Sequence, residues 1–175
     1  MVTQDQNKWY TLHVEDPWWT IEDFYNVEYE HSPFNDALTT KYWKKIGYEE
    51  QKFTGSMYGM PNEMPDWVGR FQKVFPWDNW SWQLYRMEPG CILPAHSDTY
   101  RKYKEVNALK NTKKVWRAVV FLEDWQSGHY FEIDSTNLSY WKKGDYIVWN
   151  DQCRHIAANI GELNRYTLQI TGVID

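Results

Sequence analysis

The feature that most constrains the fold is a change of texture near residue 80. From there on, short runs rich in β-branched and aromatic residues alternate with turn residues: SWQLYRME, then Pro89–Gly90, CILPAHSD, VWRAVVFLED, HYFEI, LSYW, the turn KKGD, YIVWN, CRHIAANI and NRYTLQITGVI. Each run is too short for a helix with its own hydrophobic stripe, and the turns leave no room for the crossover helices of a parallel sheet. About eight such strands within roughly 90 residues point to a jelly roll or small barrel rather than to alternating βα units.

Before residue 80 the pattern is different. In PNEMPDWVGRFQKVF, Pro65 and Asp66 open a helix, and Met64, Trp67, Val68, Phe71, Val74 and Phe75 then recur at spacings of three and four. Segments 18–28 and 35–46 carry weaker helical signals. The expected fold is mainly β with N-terminal helices, a single domain over 1–175 in which a helix-rich segment, 1–79, supports a β core, 80–175. Of the 12 tryptophans, Trp18, Trp19, Trp43, Trp67, Trp77, Trp80 and Trp82 are read as packing between the helical layer and the sheet.

Composition removes several classes of function. Aromatic residues make up 18% of the chain, which excludes a disordered segment. The net charge of -5 gives no general attraction to nucleic acid. No apolar run approaches the roughly 20 residues that span a bilayer, and MVTQDQNKWYTLHVEDPWW lacks the charged-then-apolar pattern of a secretory leader. Two cysteines, Cys91 and Cys153, are too few for a disulfide framework, so reduced thiols and a cytoplasmic setting are expected. One stretch breaks the acidic balance. Between Tyr100 and Lys114 lie Arg101, Lys102, Lys104, Lys110, Lys113 and Lys114 against the single acid Glu105.

Five histidines are present, and two of them stand in a chemical pattern. His96-Ser97-Asp98 places an imidazole and a carboxylate two residues apart, which in an extended chain puts both on one face. His155 supplies a second imidazole from a later strand, and Arg165 follows ten residues beyond it across Gly161. An odd-numbered connecting loop places His155 and Arg165 on the same face of a hairpin, and an even one on opposite faces. Two imidazoles and a carboxylate form the facial set suited to non-haem Fe(II), with the remaining positions open for exchangeable ligands. A buried guanidinium nearby suits the far carboxylate of a dianion, because its planar fork is permanently charged. Tyr85, on the strand before the first ligand, is a candidate donor to the same carboxylate; Trp149 is a candidate pocket wall. Tyr100, Arg101, Tyr103 and Lys104 are candidates to steer an acidic substrate. His129 is weighed as a competing metal ligand and read as a strand histidine.

In these residues the chain resembles the 2-oxoglutarate/Fe(II)-dependent dioxygenases. The likeness covers Trp80 to Val173, roughly the C-terminal half, and implies a double-stranded β-helix (jelly-roll, cupin-like) core. The spacing from His155 to Arg165, with SYWKKGDYIVWND before it, is most similar to the aspartyl/asparaginyl β-hydroxylase and proline-hydroxylase branches. The resemblance implies metal ligation by His96, Asp98 and His155, co-substrate binding by Arg165, and a second co-substrate contact from Arg117. It also implies consumption of 2-oxoglutarate and O₂ with release of succinate and CO₂. A small-molecule or peptidyl substrate, with an amino acid side chain as the hydroxylated group, follows. Val119 stands where the aspartyl hydroxylase branch carries a histidine, and Asp98 is present where that branch lacks a metal carboxylate. Two other readings remain at this point: a cupin-type iron oxygenase that does not use 2-oxoglutarate, and a jelly-roll carbohydrate-binding module with tryptophans as stacking platforms.

Overall fold

The computed structural model describes residues 8–110 and 114–174. Eleven strands run in the order β1 (Trp9–His13), β2 (Glu30–Pro33), β3 (Thr54–Gly59), β4 (Asp78–Met87), β5 (Ile92–His96), β6 (Val115–Phe121), β7 (His129–Ile133), β8 (Thr136–Leu138), β9 (Asp145–Asn150), β10 (His155–Asn159) and β11 (Arg165–Val173). The helices are α1 (Glu22–Tyr25), α2 (Ala37–Lys45), α3 (Asp66–Gly69) and α4 (Arg101–Val106), with 3₁₀ turns at Glu50–Lys52 and Arg70–Lys73.

All pairings are antiparallel and form two sheets. The major sheet has the order β1-β9-β6-β11-β4-β3-β2, and the minor sheet β5-β10-β7-β8. The eight strands expected after residue 80 are all present, although β8 falls at Thr136–Leu138, slightly ahead of the expected LSYW run. The segment before residue 80 differs more. It carries short helices but also gives β1, β2 and β3 to the major sheet, so its role is to widen that sheet as well as to cover it. The helix expected across 65–75 is one α turn continuing as 3₁₀, yet its stripe faces inward as the spacing requires, with Val68, Phe71 and Phe75 buried.

Strand alternation sorts the core into two layers. On the outer face of the major sheet, Trp82, Leu84, Ala118, Val120, Tyr146, Val148, Tyr166, Leu168 and Ile170 pack against Trp19, Phe24, Val68, Phe71 and Phe75 from the helical cover. The intervening residues, Tyr85, Met87, Val119, Phe121, Ile147 and Trp149, face the minor sheet and meet Phe131, Ile133 and Ala157. Trp43 departs from the expected packing role. It is fully buried on α2, but against Phe34, Phe53 and His96 at the rim between the sheets. Asp36 caps α2 by accepting hydrogen bonds from the Leu38 and Thr39 amides. The cap's other carboxylate oxygen accepts from the Thr99 hydroxyl at 3.1 Å, tying the helix to the chain just past the first ligand candidates.

Candidate metal centre

The two histidines meet because β5 and β10 are neighbours in the minor sheet. His155 lies directly opposite His96 in register, and their ring centroids are 4.3 Å apart. Asp98 lies just beyond the end of β5, so it reaches the imidazoles from a loop rather than by strand alternation. His96 Nε2 is 3.8 Å from Asp98 Oδ1, and His155 Nε2 is 3.8 Å from Asp98 Oδ2. One ligand atom from each residue lies within 4.8 Å of the others, an arrangement that could hold a single cation.

The surroundings are those of a dry site. Both histidines are buried, with Phe34 and Trp43 edge-on to His96 at 5.0 and 5.2 Å, and Trp149 5.0 Å and Phe131 6.3 Å from His155. Burial pushes His155 down to about 4, against the pull of the Asp98 charge, and lowers His96 in the same way. Both rings are therefore neutral at pH 7, the form that donates a lone pair to a metal. Burial alone would raise the Asp98 carboxyl, but Arg117 and the two imidazoles outweigh it and hold Asp98 down to about 2. His96 Nδ1 lies 2.7 Å from the Pro94 carbonyl, which fixes the protonated nitrogen there and leaves Nε2 free to coordinate. Asp98 Oδ2 and His155 Nδ1 are buried without hydrogen-bond partners.

Arg165 enters from the other sheet. The hairpin considered for His155 and Arg165 does not form, because β10 belongs to the minor sheet and β11 to the major one. The two residues converge because both point into the space between the sheets. Arg165 is 3% exposed. Its Nη1 donates to the Tyr130 carbonyl at 2.8 Å and weakly to the Ala158 carbonyl at 3.5 Å, its Nη2 contacts Met87 Sδ at 3.0 Å, and its Nε has no partner. No carboxylate pairs with it among the described residues, and burial lowers its pKa to about 10. Tyr85 lies beside it, with its hydroxyl donating to the Thr54 carbonyl at 3.2 Å. Gly55 makes this possible, since a Cβ there would fall 2.3 Å from the Tyr85 hydroxyl oxygen.

Arg117 is not where the co-substrate expectation puts it. It shares the inner face of the major sheet with Arg165, but it pairs in register with Thr171, six residues along β11 from Arg165. Six residues of strand are roughly 20 Å, more than one small dicarboxylate bridges. Arg117 sits at the metal end instead, with Nη1 3.3 Å from Asp98 Oδ2 and its guanidinium over the Tyr100 ring at 5.0 Å.

The basic stretch also departs from expectation. Residues 101–106 form α4, not a loop, and Lys113 lies outside the described residues. Tyr100 is buried beneath Arg117, Lys104 pairs with Asp151 at 3.4 Å, the Tyr103 hydroxyl donates to the Asn79 carbonyl at 2.5 Å, and Arg101 is exposed. Of the steering group, Tyr100 lies beside Arg117, its ring 5.0 Å from the guanidinium. The Trp149 ring lies 5.0 Å from that of His155. His129 is far from the triad along β7 and bonds the Leu163 carbonyl through Nε2 at 3.1 Å. Cys153 is a buried thiol donating to the Lys8 carbonyl at 3.0 Å. Phe34 and Trp43 are the site neighbours that the sequence reading misses, since nothing near them in the chain marks their contact with His96.

No family model and no curated protein matches the chain. Solved structures do. A prolyl-4-hydroxylase from Pseudomonas putida superposes with a TM-score of 0.56 at 11% identity, covering 88% of this chain and 96% of its own. The fold is a double-stranded β-helix. A viral collagen prolyl hydroxylase from Paramecium Bursaria Chlorella virus-1 gives 0.53 at 14% identity, covering 88% and 100%. A putative sugar phosphate isomerase from Acidithiobacillus ferrooxidans gives 0.50 at 15% identity, covering 90% and 75%. At such identities the likeness describes the double-stranded β-helix alone, and that fold hosts more than one chemistry.

Proposed function

We propose that this chain is a non-haem Fe(II)- and 2-oxoglutarate-dependent oxygenase that hydroxylates an amino acid or peptidyl side chain. The observation that carries the reading is a buried guanidinium without an acid, placed at a fixed distance from a buried two-His-one-carboxylate cluster. Arg165 reaches the Ala158 carbonyl, three residues along β10 from His155, or roughly 10 Å of strand. A five-carbon dicarboxylate with its keto acid end at the metal spans such a gap. An unpaired buried cation is costly, and a protein retains one where a ligand supplies the missing charge.

The residues divide the work as follows. His96, Asp98 and His155 would hold the iron by one face, which leaves the opposite face for exchangeable ligands. Arg165, with Tyr85 beside it, would receive the remote carboxylate and set the co-substrate's orientation. Phe34, Trp43, Phe131 and Trp149 exclude water from the ligand set. When bound, iron and 2-oxoglutarate supply the oxidising chemistry, with O₂ consumed and succinate and CO₂ released.

Two alternatives fit less well. An iron oxygenase without 2-oxoglutarate gives no reason for a buried, acid-free Arg165. A carbohydrate module needs accessible stacking platforms, but all tryptophans are buried or partly buried.

The test is anaerobic titration of the Fe(II)-loaded protein with 2-oxoglutarate, followed by visible absorbance of the metal–keto acid chelate. The band is expected in the wild type, absent in His155→Ala, and shifted to at least about tenfold higher 2-oxoglutarate in Arg165→Ala, the loss of one charged hydrogen-bonded pair. A wild-type protein that takes up Fe(II) but gives no band refutes the 2-oxoglutarate reading.

A further inference from the structure

The space between the sheets contains one buried guanidinium, Arg165, and one partly buried, Arg117, and the proposed co-substrate accounts for only the first. Arg165 stands at one end, the metal ligands in the middle, and Arg117 beyond them at the other end. Among the described residues, Asp98 is the one carboxylate that pairs with Arg117, with Nη1 3.3 Å from Oδ2. Tyr100 offers Arg117 only its ring, 5.0 Å from the guanidinium. Asp98 is thus the counter-charge that the described residues give Arg117.

Occupation of the site changes that balance. A divalent metal draws on the Asp98 carboxylate, and a dianionic co-substrate neutralises Arg165 together with the remaining charge on the metal. One positive charge is then left over at the metal end, and it belongs to Arg117. With its side chain 23% exposed, Arg117 is only partly solvated, so that charge favours an anion beside it.

Hydrogen-bonding capacity points the same way. Arg117 Nε is buried with no acceptor. Directly across from it in register on β9 is Trp149, whose indole nitrogen is also buried without a partner, in a residue only 2% exposed. Both groups are donors with no acceptor function, so a neutral donor ligand would satisfy neither. Neighbouring strands bring two unmet N–H groups to a single place, next to the ligand set but on the side away from Arg165.

Building on the oxygenase reading, we propose that the substrate carries its own carboxylate, and that Arg117, with the Trp149 indole, receives it. The substrate class is therefore small carboxylic acids, such as free amino acids, rather than an uncharged side chain within a polypeptide. The Arg117–Asp98 contact also gives the residue a reason to be an arginine. Its fork presents one nitrogen to Asp98 and keeps Nε for the incoming anion, which the single ammonium of lysine does not do in the same geometry.

The experiment uses the anaerobic Fe(II)·2-oxoglutarate protein and a panel of free L-amino acids, each paired with its C-terminal amide. Binding is read as perturbation of the chelate absorbance band and as quenching of tryptophan fluorescence. At least one acid is expected to bind ten times or more tightly than its amide. In Arg117→Gln that preference should fall to about twofold or less and in Arg117→Lys be recovered only in part. A panel in which no acid outbinds its amide overturns the proposal, and this arm needs no variant. It is equally overturned if Arg117→Gln raises the 2-oxoglutarate requirement as much as Arg165→Ala does, since Arg117 would then serve the co-substrate. Failure of the wild type to form the chelate band sinks the oxygenase reading and this inference together; a normal band with no acid preference sinks only the inference.

Discussion

On the outer face of the major sheet the Trp18 indole donates to the Trp67 carbonyl at 2.8 Å, the Trp19 indole to the Leu122 carbonyl at 2.9 Å and the Tyr29 hydroxyl to the Phe24 carbonyl at 2.8 Å. On the inner face Arg117 Nε, Trp149 Nε1 and Arg165 Nε are buried with nothing to accept from them. The same strands build both faces, one residue apart. The outer face is largely satisfied, although the Trp80 indole is an exception, and its aromatic residues close on one another at 4.5 to 6.4 Å. Unmet polar groups in a protein interior cost free energy, and their concentration on one face locates where a ligand is expected to complete the structure.

That contrast can be broken by substitutions that affect one face and spare the other. The largest effect is expected from His155→Ala, which removes one of three ligands. Divalent metal affinity, measured by calorimetry, should fall by more than about a hundredfold, exceeding the 10- to 100-fold typical of losing a residue behind a ligand. An affinity within tenfold of wild type would mean that the cluster is not the metal site.

Next comes Arg165→Met. In the ligand-free protein this replaces an uncompensated buried cation with an apolar chain of similar length, so denaturant unfolding should show stability unchanged or raised by roughly 1–3 kcal/mol. The stabilisation that 2-oxoglutarate confers on the Fe(II) protein should disappear at the same time. A clear loss of ligand-free stability would assign Arg165 to structure.

A third effect is pH dependence. The folded protein holds His155 near 4 against an ordinary value of 6.5, so below pH 6.5 the unfolded chain binds a proton that the folded chain refuses. Stability from this group is fully present above about 6.5 and is lost as pH falls toward 4, by an amount on the order of 2–3 kcal/mol. Asp98, held near 2, stays ionised through that window and adds its own loss only below about 4. In His155→Ala the slope of stability against pH between 6.5 and 4 should flatten; an unchanged slope would place the titration elsewhere.

The smallest effect belongs to the outer face. Trp19→Phe removes the hydrogen bond to the Leu122 carbonyl and part of a packed ring, and should cost roughly 1–3 kcal/mol in chemical denaturation. Metal affinity should not change. A coupled loss would show that the two faces are not independent.

The strands after residue 80 were legible because their signals are local. A run such as VWRAVVFL alternates residues between the two faces, and its neighbours are set off by turns like Pro89–Gly90, where Gly90 adopts a φ of 85°. The strands before residue 80 were harder to see. β2 has one partner and exposed residues on both sides, so EHSP carries no alternating pattern. The helical expectation for 65–75 located the buried side chains but not the shift to 3₁₀ geometry, which the spacing of three and four does not distinguish.

By itself the sequence determined the chemical types available: an H-x-D triplet, a distant histidine, an arginine ten residues on, and the alternation that separates an apolar outer face from a mixed inner one. Only the tertiary structure decided that β10 and β11 lie in opposite sheets, that Arg117 pairs with Asp98 while Arg165 stands about six residues of strand away, and that Trp43 closes over His96. The physical reason is range. Periodicity and turn chemistry act over a few residues, whereas each of these placements depends on contacts between segments that meet only when the two sheets pack face to face.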